Sequence, residues 1–156
     1  MNRRTLLTGG ASSMATLLAA GVGHAATAYE VVHTDAEWRT LLGPERYAVL
    51  RQANTEAPGS SPLDREHRKG VFDCAGCDLP LYLSSTKFNS GTGWPSFYKP
   101  IDGAVLTSVD KSLFEVRTEV HCRRCGGHLG HVFNDGPRPT GLRYCMNGLA
   151  LKFVPA

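Results

Sequence analysis

The sequence predicts a single, mainly β domain with short helices near its N terminus and a metal site that joins distant parts of the chain. Its 156 residues suffice for one domain with a substantial core. The 17 glycines and 9 prolines separate many short apolar runs, a pattern typical of turn-rich β proteins. Four of the five cysteines form two C-x-x-C pairs, and such pairs are typical of metal sites.

The first 28 residues have the features of a secretory signal that is cleaved from the mature protein. Arg3 and Arg4 precede a mostly apolar, uncharged stretch from Thr5 to Val22, and the tripeptide at 26–28 fits an A-x-A cleavage site. The paired arginines favour a twin-arginine signal, so we expect a periplasmic protein, or a cytoplasmic one if the signal is not used. A membrane anchor is the alternative, but this segment is rich in Gly, Ser, Thr and Ala and suits a spanning helix poorly.

The charge of the predicted mature domain, residues 29–156, is close to neutral. The whole chain has 17 basic and 14 acidic residues, a net charge of +3, and the signal contains Arg3, Arg4 and no acid. Cleavage leaves 15 basic against 14 acidic residues, a net charge of +1. This balance argues against nucleic-acid binding and against stable association with a membrane surface.

Local patterns predict helices first and strands afterwards. Thr34 and Glu37 form a capping box for a helix that ends at Gly43, and Pro44 suits the first turn of a second helix, Glu45 to about Asn54. We expect both helices to cover a sheet. From residue 104 onward, apolar runs between turn residues predict strands at 104–109, 113–121, 129–133 and 142–153.

The two C-x-x-C pairs, Cys74/Cys77 and Cys122/Cys125, together predict one tetrahedral zinc site. Closing the chain between the pairs costs roughly 3 kcal/mol in entropy, whereas structural zinc contributes about 10–16 kcal/mol. Four sulfur ligands leave no open position for a substrate, so the metal is expected to be structural. Two disulfides or a redox-active dithiol are the alternatives.

The fifth cysteine, Cys145, is a candidate nucleophile. Arg143 and Asn147 lie two residues before and after it, and side chains on a strand alternate, so we expect the three on one face. A nearby cation increases the thiolate fraction of a cysteine. A buried structural cysteine is the alternative interpretation.

Two further segments offer polar and aromatic groups for a site. His128 and His131 form an H-x-x-H pair able to donate protons or hold a water, although either histidine alone is as readily structural. Trp94 lies in an irregular stretch between glycines, where a loop can present it to a pocket or a core can bury it.

Taken together, these motifs resemble those of the B-type methionine sulfoxide reductases. The resemblance covers essentially the whole predicted domain, from the first helix to Phe153, and it includes both cysteine pairs. Three segments carry it most specifically: SGTGWPSF at 90–97, HLGHVFND at 128–135 and GLRYCMN at 141–147.

The resemblance implies two antiparallel sheets with small flanking helices and one structural zinc ion held by the four paired cysteines. It implies reduction of the R epimer of methionine sulfoxide in oxidised proteins or peptides. We expect the protein to act as a monomer. Cys145 matches the family's nucleophile, and Arg143 matches a residue that supports the thiolate. The remaining pocket positions of the family correspond to His128, His131 and Asn147 around the reacting atoms and to Trp94 and Phe133 against the substrate.

One departure from the family pattern concerns the recycling of the enzyme. Many members have a resolving cysteine between the glycines of the S-G-x-G-W-P segment, where this chain has Thr92. No cysteine is left over, so an external thiol such as a thioredoxin-like protein is expected to regenerate Cys145. Asn89 stands where the family often has Asp.

Two other functions are compatible with parts of the sequence. The H-C-R-R-C segment at 121–125 suits a zinc-ribbon module that binds nucleic acid or protein, but the near-neutral charge and the export signal argue against it. A thiol-disulfide oxidoreductase that uses Cys74 and Cys77 is the third possibility, and it requires these thiols to be free of metal.

Overall fold

The computed structural model of the protein describes residues 28–112 and 115–156, so the predicted signal segment lies outside the described residues except for Ala28. A helix, α1, is followed by nine strands, and three short 3-10 helices lie between strands or before the first of them. The elements are α1 (Asp35–Gln52), a 3-10 helix (Pro62–Arg65), β1 (Gly70–Cys74), β2 (Pro80–Leu83), a 3-10 helix (Ser84–Thr86), β3 (Lys87–Phe88), β4 (Ser96–Phe97), β5 (Val105–Asp110), β6 (Arg117–Cys122), β7 (His128–Phe133), β8 (Arg143–Met146), a 3-10 helix (Gly148–Ala150) and β9 (Leu151–Pro155).

The helix α1 consists of two helical segments that meet at a kink, as the sequence predicts. Gly43 is non-helical at the kink, with φ 70° and ψ 172°, and Pro44 begins the second segment. The capping box is also confirmed, because the Thr34 N–H donates to the Glu37 carboxylate at 2.7 Å and the Glu37 N–H donates to the Thr34 hydroxyl at 3.3 Å. Tyr47 and Leu50 are buried, so this helix packs on the core.

The strands form two antiparallel sheets, which confirms the mainly β fold with a helical cover. The small sheet has the order β2-β1-β9, and the large sheet has the order β3-β4-β8-β7-β6-β5. Aromatic rings join the sheets: Phe97 of the large sheet stacks on Tyr82 with ring centroids 4.3 Å apart and meets the edge of Phe72 at 5.0 Å. All three side chains are fully buried, and burial of aromatic surface contributes strongly to core stability.

The predicted strand at 142–153 is wrong in its middle. The chain leaves the large sheet after β8, turns through the 3-10 helix Gly148–Ala150 and enters the small sheet as β9. The N–H groups of Gly148 and Leu149 donate to the carboxylate of Glu56 at 2.6 and 3.0 Å. These two donors are therefore unavailable to a strand ladder, and the break places Asn147 at the junction between the sheets.

The predicted strand at 113–121 begins later than expected, at Arg117, while its residues 113–114 lie outside the described residues. Among residues 28–112 and 115–156, no helix has the length and apolar character needed to cross a bilayer.

Candidate active site

The four paired cysteines come together as one cluster. Their sulfur atoms all lie within 4.8 Å of one another. The Sγ atoms of Cys74 and Cys125 are 3.7 Å apart, and those of Cys77 and Cys122 are 3.5 Å apart. Zn–S bonds of about 2.3 Å in a tetrahedron imply sulfur separations of about 3.8 Å, whereas a disulfide needs about 2.05 Å. All five cysteines are free thiols, so the donor set fits zinc and does not fit disulfides.

The two cysteine pairs adopt matching turns. Asp78 and Gly126, the residues after each pair, have positive φ values of 56° and 69°. Each donates its N–H to the carbonyl of the first cysteine of its pair, Cys74 or Cys122, at 2.9 Å. Cys74 ends a strand of the small sheet and Cys122 ends a strand of the large one, so a metal ion here ties the two sheets together.

A separate cavity of about 310 Å³ contains most of the other predicted site residues. Six predicted residues and Thr92 line it, together with three residues that the sequence did not suggest. The lining residues are Thr55, Thr92, Trp94, Arg117, Gly130, His131, Phe133, Arg143, Cys145 and Asn147. Trp94 is half-buried and lines this cavity, which favours the pocket position over the core position. His128 does not line the cavity and is buried beside it.

Strand pairing explains how four of these side chains share one surface. In the antiparallel pair β7–β8, Cys145 lies opposite His131, and Arg143 lies opposite Phe133. Residues that lie directly opposite each other project from the same face of a sheet. Two strands thus place a histidine next to the thiol and an aromatic ring next to the cation.

The protonation of Cys145 depends on opposing influences. Burial raises the pKa of the Cys145 thiol, while the hydroxyl of Thr92 and the charge of Arg143 act to lower it. The expected effect of Arg143 is therefore present, but burial outweighs it. The Thr92 Oγ1 atom lies 3.8 Å from the sulfur, in the position that the family pattern gives to a resolving cysteine.

Three hydroxyl groups, those of Thr92, Ser90 and Ser96, form a hydrogen-bonded row beside Cys145. The hydroxyl of Ser90 is 2.8 Å from that of Thr92 and 2.7 Å from that of Ser96. Ser96 is fully buried and pairs with Cys145 across β4 and β8. Each hydroxyl both donates and accepts, so the row can orient its protons toward a thiolate.

Arg143 is held rigidly at the rim of the pocket. Its Nε and a terminal nitrogen donate to the two carboxylate oxygens of Asp135 at 2.8 Å each. Its guanidinium group also lies 4.4 Å from the ring centroid of Phe133. These hydrogen bonds hold the pKa of the Asp135 carboxyl below its usual value. A bidentate pair of this kind fixes the direction of the cation.

The two histidines lie on the same side of β7 because that strand is bulged. Residues three apart on a regular strand face opposite ways. The register between β6 and β7 slips, with Gly130 opposite Val120 but His128 opposite His121, so β7 has one extra residue at Leu129. As a result, the ring centroids of His128 and His131 are 5.5 Å apart.

Each histidine has its own carboxylate partner, and the two differ in access to the pocket. Glu119 lies 2.5 Å from Nδ1 of the buried His128, and Asp110 lies 2.9 Å from Nε2 of the pocket-lining His131. A carboxylate accepts, so these nitrogens carry the protons. Burial lowers the pKa of His128. The pKa of Asp110 is held well below its usual range by hydrogen bonds, chiefly from Ser112 and also from His131 and Arg117.

Few local sequence features predicted these partners. Arg117 and Glu119 alternate with His121 along the predicted strand 113–121, so charged residues on one face were the available sign. Thr55 and Glu56 follow the helix in a polar loop and carry no local pattern that indicates a site.

Comparison with known proteins places the chain in a family. The model of the SelR domain matches residues 42–155. A peptide methionine sulfoxide reductase MsrB of Agrobacterium fabrum is 52% identical over 130 residues, which cover 83% of this chain and 96% of that protein. The MsrB of Leptospira interrogans is 53% identical, covering 80% of this chain and 96% of its own.

A third relative comes from a different bacterial genus. The MsrB of Leifsonia xyli is 54% identical over 129 residues, covering 81% of this chain and 93% of that protein. With a domain match over most of its length and relatives of this similarity, the chain belongs to the SelR-domain family of B-type methionine sulfoxide reductases.

Proposed function

We propose that the protein reduces the R epimer of methionine sulfoxide, in proteins or peptides, through the thiolate of Cys145. Methionine sulfoxide reduction in general follows from membership of the family. The observation that carries the finer proposal is the position of Cys145 in a cavity it shares with Trp94 and His131. The thiol is the nucleophile, the indole packs on the small S-methyl group, and the histidine faces the sulfoxide oxygen.

The chemical step transfers the sulfoxide oxygen to the cysteine. The Cys145 thiolate attacks the sulfoxide sulfur, and a proton moves from the imidazolium form of His131 to the sulfoxide oxygen, which makes that oxygen a better leaving group. The S–O bond breaks and the oxygen departs as hydroxide, which leaves the methionine sulfur bonded to the Cys145 sulfur. The hydroxide then attacks the Cys145 sulfur, the S–S bond breaks, methionine is released, and Cys145 becomes a sulfenic acid. The sulfur of methionine is reduced by two electrons and that of Cys145 is oxidised by two. The ionised Asp110 orients His131 for this role.

His128 and Asn147 are buried residues to which we assign hydrogen-bonding roles in the site. With Glu119 accepting the Nδ1 proton, a neutral His128 has an unprotonated Nε2, which suits it to accept a hydrogen bond. Asn147 lines the cavity and is nearly fully buried, so a free amide proton there is suited to the substrate.

We further propose that an external dithiol regenerates the enzyme. One thiol of the reductant attacks the sulfenic acid and releases water, and the second thiol resolves the mixed disulfide to restore the Cys145 thiol. Thr92 offers no internal thiol for this step. The other four cysteines are gathered into the metal cluster, and recruiting one of them removes a metal ligand. A thioredoxin-like protein has the required chemistry.

The proposed setting is the periplasm, with the protein acting as a monomer that repairs oxidised proteins. The support for export is the twin-arginine pattern of residues 1–28. Sequencing the N terminus of the protein recovered from periplasm tests both export and the cleavage site, and an uncleaved cytoplasmic protein contradicts the proposal.

The decisive experiment is epimer-resolved turnover with wild-type protein and with Cys145→Ser. We expect reduction of the R epimer only, a loss of at least about 1000-fold in the variant, and an oxygen adduct on Cys145 after one turnover without reductant. Equal reduction of both epimers, turnover by Cys145→Ser, or an intramolecular disulfide after one turnover each contradicts the scheme.

A further inference from the structure

Glu56 forms hydrogen bonds to two residues that line the pocket, Trp94 and Asn147. It is 8% exposed and belongs to the loop between α1 and the first 3-10 helix. Its backbone carbonyl accepts a hydrogen bond from the Trp94 indole N–H at 3.1 Å. Its backbone N–H donates to Oδ1 of Asn147 at 3.0 Å. One peptide segment thus holds the aromatic wall and the amide of the pocket.

The carboxylate of Glu56 fixes the position of this segment. It accepts hydrogen bonds from the Gly148 N–H at 2.6 Å and the Leu149 N–H at 3.0 Å. These are the two residues that follow Asn147, at the point where the chain passes from the large sheet to the small one. Hydrogen bonds to a charged acceptor are among the stronger ones in proteins, so Glu56 fixes the backbone on which the Asn147 side chain is carried.

Packing around Gly148 leaves the junction little room to move. A Cβ atom on Gly148 would lie 1.9 Å from the Ser61 hydroxyl oxygen and 3.2 Å from a carboxylate oxygen of Glu56. Ser61 is itself buried. Gly148 is therefore tightly packed between the hydroxyl of Ser61 and the carboxylate of Glu56.

The hydrogen bonds determine what Asn147 presents to a substrate. Its Oδ1 is engaged by the Glu56 N–H, and its Nδ2 donates to the Leu129 carbonyl at 3.2 Å. An amide group has two N–H donors. One N–H therefore remains, in a direction fixed by Glu56, on a residue that lines the cavity with Cys145.

We infer that Glu56 is a positioning residue for sulfoxide binding, which sets the directions of the Trp94 indole and the Asn147 amide without touching the substrate. This inference rests on the proposed function, because it assumes that both groups contact the bound sulfoxide. Glu56 has no hydrogen bond to Cys145, Arg143 or His131 among the described residues. Its loss should thus impair substrate binding and leave the reactivity of the thiol intact.

The test compares Glu56→Gln and Glu56→Ala with Glu45→Gln. Glutamine has the same shape but keeps only one acceptor oxygen for two N–H groups, and alanine keeps none. Glu45 is exposed and lies on the same side of the molecule, lining the same surface groove as Glu56, so it provides a matched change. Thermal melting and zinc content establish that each protein is folded.

Two kinetic measurements separate positioning from general damage. We expect KM for a methionine-R-sulfoxide peptide to rise about tenfold in Glu56→Gln and further in Glu56→Ala. The rate of iodoacetamide alkylation of Cys145 should change by less than about twofold, and Glu45→Gln should match the wild type in both. If alanine prevents folding, the isosteric glutamine variant decides.

Wild-type KM in the folded Glu56 variants would reduce Glu56 to a purely structural role and overturn the inference. An equal fall in alkylation rate and in substrate affinity would also overturn it, because the whole pocket would then have changed. Failure of the proposed function is distinguished in the same assay, since it appears as wild-type protein that does not select the R epimer or as Cys145→Ser that still turns over.

Discussion

At the scale of single residues, Thr92 acts on the protonation of Cys145 against the larger effect of burial. Its hydroxyl is 3.8 Å from the Cys145 sulfur and hydrogen-bonds to the hydroxyl of Ser90, which in turn hydrogen-bonds to the buried Ser96. A hydroxyl in this position donates to a thiolate but offers no sulfur to a sulfenic acid. A hydroxyl in place of a thiol is therefore consistent with the proposed thiolate mechanism and with the proposed recycling by an external thiol.

Removing the Thr92 hydroxyl should make Cys145 less reactive at neutral pH. Because that hydroxyl lowers the pKa of Cys145, Thr92→Val should raise this pKa and shift the pH profile of iodoacetamide alkylation upward. At pH 7 we expect a several-fold slower alkylation, corresponding to about 1 kcal/mol for one hydrogen bond. Thr92→Ser should preserve the profile. The same change at the exposed Thr107 serves as the control, and an unchanged profile in Thr92→Val contradicts the role of the hydroxyl.

His128 makes the folded protein sensitive to acid. Burial lowers the pKa of His128 from its ordinary 6.5, so the unfolded chain binds its proton more readily than the folded one. The stability due to the neutral ring is fully present above about pH 6.5 and is lost as the pH falls toward the lowered pKa. His128→Gln should therefore show a smaller drop in melting temperature between pH 7.5 and 5.5 than the wild type.

Zinc must be monitored in this comparison, because acid also protonates metal ligands. The exposed His67 provides the control, and His67→Gln should retain the wild-type pH dependence. A wild-type slope in His128→Gln would mean that another group carries the acid sensitivity.

At the scale of elements, the bulge in β7 is what turns two histidines into a pair. It depends on Gly130, whose φ is 155° and whose missing side chain allows β7 to approach β8 closely. A Cβ atom there would lie 2.1 Å from the backbone oxygen of Cys145. Such a contact with backbone cannot be relieved by a side-chain rotation, so the strands would have to separate.

Replacing Gly130 with alanine should therefore damage both stability and catalysis. Overpacking of this kind typically costs about 1–3 kcal/mol. Because His131 follows directly and Cys145 lies across the strand pair, kcat/KM should fall more steeply than stability does. Chemical denaturation and steady-state kinetics measure the two effects. Gly103→Ala, at an exposed turn whose φ of 72° is also positive but whose Cβ position is open, controls for the backbone strain of alanine at positive φ, so the difference between the two variants isolates the clash with β8. Normal activity in Gly130→Ala would contradict this account of the bulge.

The same elements show which structural features were predictable from local sequence. The Gly43-Pro44 kink and the capping box depend on residues within one or two turns of each other, and both are confirmed. The β7 bulge depends on the backbone of another strand, and the break after β8 depends on Glu56, about 90 residues away in the chain. No periodicity within β7 or within 142–153 encodes such contacts, so the predicted strand ran through the break.

The candidate site shows the same difference between residues that local sequence predicts and residues that act through distant contacts. Cys145, Arg143 and the four paired cysteines were predicted from spacing, Trp94 and His131 from their local sequence and from the family resemblance, and Phe133 from the resemblance. The residues that orient them, Glu56, Asp110 and Glu119, were missed because each acts across the fold on a distant segment. Sequence motifs predicted the groups proposed to react, and only the folded chain identifies the groups that hold them.

At the scale of the whole molecule, the metal cluster links the two sheets, in addition to the aromatic core between them. Cys74 lies at the end of a strand of the small sheet, and Cys122 and Cys125 belong to the large one and the turn after it. The catalytic strand β8 leads directly into β9, which pairs with β1 of the small sheet. Separation of the sheets would therefore pull on the junction at Asn147 and disturb the pocket from a distance.

This arrangement predicts opposite outcomes for one substitution at two cysteines. Cys125→Ser should abolish stable zinc binding and sharply lower the melting temperature, because structural zinc contributes on the order of 10 kcal/mol to folding. Cys145→Ser should retain one zinc ion and a wild-type melting temperature while losing turnover. Atomic absorption, thermal melting and sulfoxide reduction on the same preparations distinguish the two roles. If Cys125→Ser kept its zinc and its stability, or if Cys145→Ser lost either, the sulfur atoms would not be divided between a structural cluster and a reactive thiol.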